Sequence, residues 1–506
     1  MAVYTASPPG VLRSLIPARL DRLRWTPFHT RLVLALGVAW ILDGLEITIA
    51  SSVSGVLGQS DTLHMSSTAV GAVATVYLLG EVVGALFFGR LSDRLGRRKL
   101  FMVTLAVYLV GSGLTALTLG NSVGWVIFLY ATRFIAGMGI GGEYAAINSA
   151  IDEMIPAHYR GRVDIAVNGT YWAGAILGTL GALVFLHTLP ESLGWRLGFL
   201  LGPALAVVIL YVRRNLPESP RWLLMHGRVE EAERNIAEIE ELARNSGRET
   251  APVDDSQAIM IKPTTAIIGA VLRVLFVNLW RRSVLGASLM ITQSFLYNAI
   301  FFTYTLVLTK FYGVDPANAP IYLIGFALGN LLGPLTIGRL FDTVGRKKMI
   351  SGTYILSGVL LAGTAYLFDQ GVLNALTQTI AWCVIFFFAS AGASAAYLTV
   401  SEIFPLEVRA QAIAVFFAIA QCFGAIGPVL YGHLIGDGSD PGRLFAGYLI
   451  GAGVMVVGGI VEIVLGVRAE RKPLESVAQP LSAVSLTVPR AGGATATLSP
   501  RLPDEE

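Results

Sequence analysis

Charge is what this chain has least of. Only 14% of its 506 residues are Asp, Glu, Lys or Arg, where a soluble protein carries roughly 25%. Cysteine is almost absent: Cys383 and Cys422 are the two present, both inside apolar runs. They exclude a disulfide framework and a thiolate metal site, and read as small buried hydrophobes. Six histidines are scattered, and no metal cluster, nucleophile–base motif or nucleotide-binding loop occurs, so an enzyme is not expected. A net charge of +3 is too small to imply a nucleic-acid partner. Met1–Asp21 has no apolar core before its arginines, so no cleavable leader is expected and the first span serves as the targeting signal.

What remains is apolar: 54% of the residues are hydrophobic. Crossing a bilayer takes about 20 such residues in a helix. Twelve segments qualify, near 31–56, 69–89, 99–119, 123–150, 164–187, 195–213, 283–310, 320–340, 349–368, 376–400, 408–435 and 443–467. The expected fold class is therefore an all-α membrane protein of twelve transmembrane helices. Its expected parts are an N-terminal segment with an amphipathic helix (1–30), a six-helix bundle (31–213), a central linker with short helices (214–282), a second six-helix bundle (283–467) and a disordered tail (468–506).

Basic residues crowd alternate linkers, among them Arg94, Arg97, Arg98, Lys99, Arg160, Arg213, Arg221, Arg281, Arg346, Lys347 and Arg409. The opposite linkers carry mainly aspartate, such as Asp61, Asp315, Asp369 and Asp437. The positive-inside rule then places both termini in the cytoplasm. Arginine far outnumbers lysine, and alanine and glycine are abundant, as in a GC-rich bacterial genome, and the expected location is the cytoplasmic (inner) membrane. Val11–Trp25 alternates Leu12, Leu15, Ile16, Leu20 and Leu23 with arginines, as expected of a helix lying on the inner leaflet. Arg228–Arg244 is a helix rich in i,i+4 charge pairs.

Two strings repeat at one spacing. Gly89–Leu100 reads GRLSDRLGRRKL and Gly338–Met349 reads GRLFDTVGRKKM, 249 residues later; Glu153-x-x-Pro156-x-x-x-Arg160 recurs at the same offset as Glu402-x-x-Pro405-x-x-x-Arg409. The halves are two copies of one helical design, a recurrent plan of transporters. Gly89 and Gly338 permit close approach at helix ends, and Gly96 and Gly345 allow tight turns. A solvated basic loop would need neither the aspartates nor both glycines.

This pattern resembles the signature loops of the major facilitator superfamily. The resemblance extends to Arg133-x-x-x-Gly137-x-Gly139-x-Gly141 and to Pro217-Glu218-Ser219-Pro220-Arg221-Trp222-Leu223, where Ser219 suits an N-cap and Pro220 the first helical position. It points to the branch of sugar porters and aromatic-acid:proton symporters, and implies two pseudo-symmetric six-helix bundles. It also implies a cytoplasmic gate of Gly89, Asp93, Arg97, Glu153 and Arg160 with Gly338, Asp342, Arg346, Glu402 and Arg409.

Ionisable residues inside a span need a partner or a cavity. Asp43 and Glu46 share one helix face at i,i+3, and Arg133 of the fourth span lies at a depth from which it reaches either carboxylate. A carboxylate that alternates between an arginine and a proton is what a proton-coupled carrier requires. Asp43-Gly44-Leu45-Glu46 is similar to the first-span D-G-x-D of aromatic-acid symporters, and the resemblance assigns Glu46 the arginine-facing slot of sugar porters. A purely structural salt bridge is the alternative. Glu81 has no evident partner, its repeat equivalent being Asn330, and Glu462 is expected at the periphery.

The substrate-cavity candidates are Glu143, Asn168, Tyr171, Trp172, Gln293, Tyr297, Asn298 and Tyr397. Gln293 and Asn298 match the hexose-binding stretch of sugar porters, but Gly392–Tyr397 lacks that family's tenth-span proline and its motif after the twelfth span is missing. Proton symport of a small organic acid is thus the expected function, with a sugar or polyol as alternative and a non-transporting sensor as the competing class. The featureless tail favours transport over sensing. Neither cofactor nor metal is expected: the proton gradient supplies the energy, the partners are the small-molecule substrate and the lipid bilayer, and the carrier is expected to act as a monomer.

Overall fold

The computed structural model describes residues 12–59, 62–213, 217–247, 252–254, 257–261, 268–470 and 477–478. Within these segments the side chains of Asp93 and Arg97 are not described, so those two gate assignments lie outside the described residues, as does nearly all of the tail. The chain begins with strand β1 (Leu12–Ser14) and helix α1 (Ile16–Asp21). The first bundle comprises α2 (Pro27–Leu57), α3 (Ser67–Leu95), α4 (Arg97–Thr115), α5 (Val123–Met154), α6 (Ala157–Thr188) and α7 (Glu191–Arg213). The linker holds α8 (Pro220–Met225), α9 (Val229–Asn245), β2 (Ile259–Ile261) and α10 (Ile268–Arg273). The second bundle comprises α11 (Trp280–Tyr312), α12 (Pro320–Thr343), α13 (Arg346–Asp369), α14 (Ala375–Glu402), α15 (Leu406–Gly424), α16 (Ile426–Ile435) and α17 (Pro441–Leu465).

Eleven helical stretches among the described residues are long and apolar enough to cross a membrane, α15 and α16 counting as one; α7, a helix of 23 residues, occupies the place of the sixth expected span. The helices outrun the hydropathy-based limits, as in α6, which starts at Ala157 rather than 164, because a polar first turn leaves the lipid while its backbone ladder continues. Leu119, Val184, Val207, Leu335 and Val464 are exposed on the outer surface, which suits lipid. Cys422 is exposed and Cys383 half-buried rather than buried: in a membrane an apolar position need not face the protein interior.

Small residues set the closest helix contacts, as in other membrane bundles. A Cβ on Gly137 would lie 2.1 Å from the Tyr77 carbonyl oxygen and one on Gly141 2.1 Å from that of Glu81, so both face α3. Gly139 faces α4 instead, 2.5 Å from the Tyr108 nitrogen. The glycine motif therefore fits α5 between α3 and α4 and fixes where Arg133 points. Gly96 (φ 85°) and Gly345 (φ 109°) start α4 and α13 in left-handed backbone that other residues rarely adopt.

Intrahelical prolines free carbonyls one turn earlier, and neighbours take them up. Pro334 releases the Asn330 carbonyl, to which Ser390 Oγ donates at 2.9 Å. Pro203 releases that of Phe199, which lies 3.1 Å from Ser112 Oγ. The expected eleventh span breaks at Ala425, three residues before Pro428, and Thr75 Oγ1 of the other bundle donates to the Ala425 carbonyl at 2.7 Å.

The N-terminal segment packs on protein, not on a leaflet. Ile16, Leu20 and Leu23 are buried, as are Ala232, Ile236 and Ile239 along α9, which α1 contacts. Arg19 donates to Glu233 (2.6 Å) and Glu240 (2.7 Å), and Arg22 to Glu240 (2.6 Å). β1 pairs antiparallel with β2, Arg13 opposite Met260. The linker helix offers this segment an apolar stripe and an acidic edge, so its arginines have partners closer than lipid headgroups. Helix α8 starts as its motif requires, with Ser219 Oγ accepting from the Trp222 N–H at 3.1 Å.

Candidate functional site

Glu46 of α2 and Arg133 of α5 form an ion pair with no exposed side-chain surface on either partner. Tyr108 of α4 donates to Glu46 Oε2 at 2.8 Å, and Ser112, one turn on, donates to Oε1 at 2.9 Å. The guanidinium lies 4.4 Å from the Tyr77 ring centroid and 4.8 Å from that of Phe199, so aromatic faces supplement its single carboxylate. Three donors converging on one carboxylate, one of them charged, fix its orientation.

Asp43 is placed differently from expectation. It makes no ion pair among the described residues and accepts instead from the Tyr144 hydroxyl. Its other oxygen is buried with the Tyr77 hydroxyl as its neighbour. One turn separates the carboxylates, and the rotation of α5 imposed by its glycines brings Arg133 to the second alone. Glu81 of α3 is also fully buried and takes a hydrogen bond from Gln421 of α15, across the bundle interface. Trp382 occupies the position 249 residues beyond Arg133, so the ionic site exists in the first repeat only.

Between the bundles lies a cavity lined by residues of both. Asn168, Tyr171, Trp172, Gln293, Tyr297, Asn298 and Tyr397 all line it. Trp40, Ile47, Tyr144, Ser294, Phe301, Ser390, Ala393, Ser394 and Gln421 complete the wall. Seven of these sixteen residues are aromatic and four are amides, and none carries a formal charge. Gln293 Nε2 donates to the Tyr397 hydroxyl (3.0 Å), and the Tyr297 hydroxyl donates to Asn330 Oδ1 (2.9 Å).

Glu143 does not line this cavity. It shares a separate, small pocket with Asp43. Trp40 and Tyr144, in edge contact at 4.6 Å between ring centroids, border both spaces and form the partition that keeps Glu143 out.

The described residues expected to form a gate lie at the end of the molecule that carries the basic loops. Arg346 pairs with Glu402 and lies 3.8 Å from Asp342. Arg160 of the first bundle approaches Glu402 of the second at 3.9 Å, joining the two. The repeat shows in the backbone contacts: Arg160 donates to the Ile155 carbonyl (3.3 Å) and Arg409 to that of Phe404 (3.1 Å). Glu153 is buried, and its carbonyl accepts from Arg221 at 3.2 Å. Gly338 is buried in α12, and a Cβ on Gly89 would meet Ala414 of the second bundle at 2.7 Å. At the opposite end Ser51 Oγ donates to the Phe301 carbonyl (2.6 Å), and the Ser54 and Thr305 hydroxyls meet at 2.7 Å. Contacts bridge the bundles on both sides of the cavity.

Several participants escaped the sequence. Tyr108, Ser112, Trp40 and Tyr144 read as ordinary span residues. Gln421, a lone amide in an apolar run, was the one legible signal. Asp21 also went unrecognised; it lies 3.0 Å from Arg221 and 3.8 Å from Arg160, tying the N-terminal segment to the gate. Glu462 is fully buried rather than peripheral.

Two repeat-related six-helix bundles closed around an uncharged cavity, with a buried ion pair in one of them, define a membrane carrier of the major facilitator fold. Residues 44–480 match the family described as sugar (and other) transporter, and the chain belongs to it. It is 26% identical over 466 residues to the niacin transporter NiaP of Acinetobacter baylyi, covering 91% of this chain and 99% of that protein. Identity to the putative niacin/nicotinamide transporter NiaP of Bacillus subtilis is 27%, covering 81% and 89% of the two chains. Among solved structures it is similar to the proton:xylose symporter XylE of E. coli, with a TM-score of 0.72 at 19% identity over 89% of this chain and 98% of that one. The protein is a transporter of a small molecule, not an enzyme.

Proposed function

We propose that the protein couples inward proton flow to uptake of a small planar organic acid, of the chemical kind that its niacin-transporting relatives carry. The observation that carries this reading is the composition of the cavity: seven aromatic side chains able to stack on a flat ring, amides and serines able to bind a carboxylate edge, and no fixed charge. With no cation in its wall, the cavity takes an anion best when a proton enters with it. Glu46 and Asp43 are the acceptors for that proton. Its arrival releases Arg133 from Glu46, and the Asp43–Glu143 pocket forms its route from the gate. Rocking of the bundles then exposes the cavity on alternate sides, with Arg160–Glu402 as the inner latch.

In this reading the basic end faces the cytoplasm of a bacterial cell, both termini are inside, and the carrier works as a monomer on the proton gradient without a cofactor. A sugar or polyol is the second reading, favoured by the four cavity amides and by the likeness to a xylose symporter. Proteoliposomes with an alkaline interior separate the readings. Accumulation of labelled nicotinate or benzoate, abolished by a protonophore, is the expected result. Accumulation of xylose alone transfers the assignment to sugars, and binding without accumulation identifies a sensor.

A further inference from the structure

Glu81 has no part in the mechanism above, yet it is fully buried in α3 at the contact with the other bundle, and its Oε1 has no hydrogen-bond partner. Its one donor is Nε2 of Gln421, a cavity-lining residue. At the other end of the same amide, Gln421 Oε1 accepts from Ser294 Oγ at 2.5 Å and from Asn298 Nδ2 at 3.3 Å, and Asn298 Nδ2 also donates to Ser294 Oγ at 3.0 Å. A single amide therefore has one face on a buried carboxylate and the other on two polar groups of the cavity wall.

We propose that Glu81 is a second protonation site and that Gln421 converts its charge state into the hydrogen-bonding polarity of the substrate cavity. This rests on the reading of that cavity as the site of an organic acid. An ionised Glu81 only accepts, so it draws the amide N–H toward itself and turns the carbonyl to the cavity. That carbonyl then occupies the Ser294 hydroxyl and the Asn298 amide, and the wall has few donors left for an anion. When a proton binds, Glu81 becomes a donor. The Gln421 amide turns over, its carbonyl accepts from the acid O–H, and its N–H group faces the cavity. Ser294 and Asn298 are released at the same time. One proton bound at Glu81 thus creates donors where a carboxylate would lie, and its departure removes them.

The charged groups acting on Glu81 are Asp43 of α2, of like sign, and Arg133 of α5, of opposite sign. The phenols interacting with it are Tyr77 of its own helix, Tyr144 of α5, Tyr171 of α6 and Tyr397 of α14. As long as Glu46 is ionised it holds Arg133, so Gln421 is then the group free to answer a change at Glu81. The repeat-related position is Asn330, an amide that cannot titrate and that is satisfied by Tyr297 and the Phe326 carbonyl; the device belongs to one half only.

The test has two arms. In pH-difference infrared spectra of the ligand-free protein, a protonated-carboxyl band is expected that Glu81→Gln removes and Gln421→Leu shifts. In the second arm, nicotinate binding to purified protein is measured in mildly acid and mildly alkaline buffer. Wild type is expected to bind roughly tenfold more weakly in the alkaline buffer, the loss of about one charge-assisted hydrogen bond, and either substitution should flatten that dependence. An infrared band unaltered by Glu81→Gln, or the same affinity ratio in both variants and wild type, overturns the proposal. Failure of wild type to bind nicotinate at either pH counts against the organic-acid reading instead, and the infrared arm still decides whether Glu81 titrates against Gln421.

Discussion

Arg133 gives its ionic contact to Glu46 and none to Asp43, although the two carboxylates stand one turn apart on the same helix. The first carboxylate is locked by an arginine, a tyrosine and a serine, while the second has phenols for neighbours and no cation among the described residues. In the coupling proposed above, the first group exchanges a cation for a proton, and its neighbour borders the small pocket it shares with Glu143.

Glu46→Gln leaves the Arg133 charge buried without a counter-charge. Gradient-driven accumulation in proteoliposomes should fall to background while substrate exchange persists. Removing one partner of a buried pair costs about 3–5 kcal/mol, so the melting temperature in detergent should drop as well. Accumulation at the wild-type level would remove Glu46 from the coupling step.

Glu402→Gln should open the basic end. The carboxylate bonds Arg346 and approaches Arg160 across the interface, and its neutral replacement holds neither cation as firmly. A cysteine introduced at the cavity residue Ala393 is expected to react faster with a polar thiol reagent added at that end. Unchanged labelling kinetics would show that the latch lies elsewhere.

Trp172→Ala removes a cavity ring lying 5.7 Å from Tyr297 and 5.6 Å from Phe301. Loss of one stacking partner is worth about 0.5–1.5 kcal/mol. Binding of an aromatic acid should weaken roughly two- to tenfold, by calorimetry or thermal shift, and a nonaromatic ligand should be affected less.

Gly44→Ala tests the packing that holds α2 in place. The added Cβ would lie 1.9 Å from the Tyr171 carbonyl oxygen of α6, a backbone atom that cannot swing aside. Overpacking of this kind costs about 1–3 kcal/mol, and a lowered melting temperature is the expected result. Transport should fall too, since Asp43 and Glu46 move with Gly44.

Acid should loosen the N-terminal clamp. Burial pushes the Glu240 carboxyl upward, but hydrogen bonds from Arg19 and Arg22 outweigh it and hold the carboxyl below its ordinary 4.5. A depressed carboxylate stabilises the fold fully above its unfolded value and loses that contribution as pH falls through the folded one. Release of α1 from α9, followed by a fluorophore pair on the two helices, is therefore expected below about pH 4.5. Glu240→Gln should release it at neutral pH.

Much of this molecule could be read along the chain. Hydropathy counts residues within one helix, so the twelve spans, the two bundles and the basic loops were visible without knowing any neighbour. The 249-residue repeat exposed the shared design, and Ser219–Pro220 marked the start of α8. Most cavity candidates were legible because a polar group inside an apolar span must face either a partner or a water-filled space. Pairing was not legible, because it depends on how far each helix is rotated and where it crosses the next. Gly137, Gly139 and Gly141 set that rotation for α5 by contacts with α3 and α4, and so gave Arg133 to Glu46. The Trp40–Tyr144 partition shut Glu143 out of the cavity, and α9 drew α1 away from lipid. The Glu81–Gln421 bond joins residues 340 positions apart. No local periodicity encodes that separation; it arises only where the two bundles meet face to face.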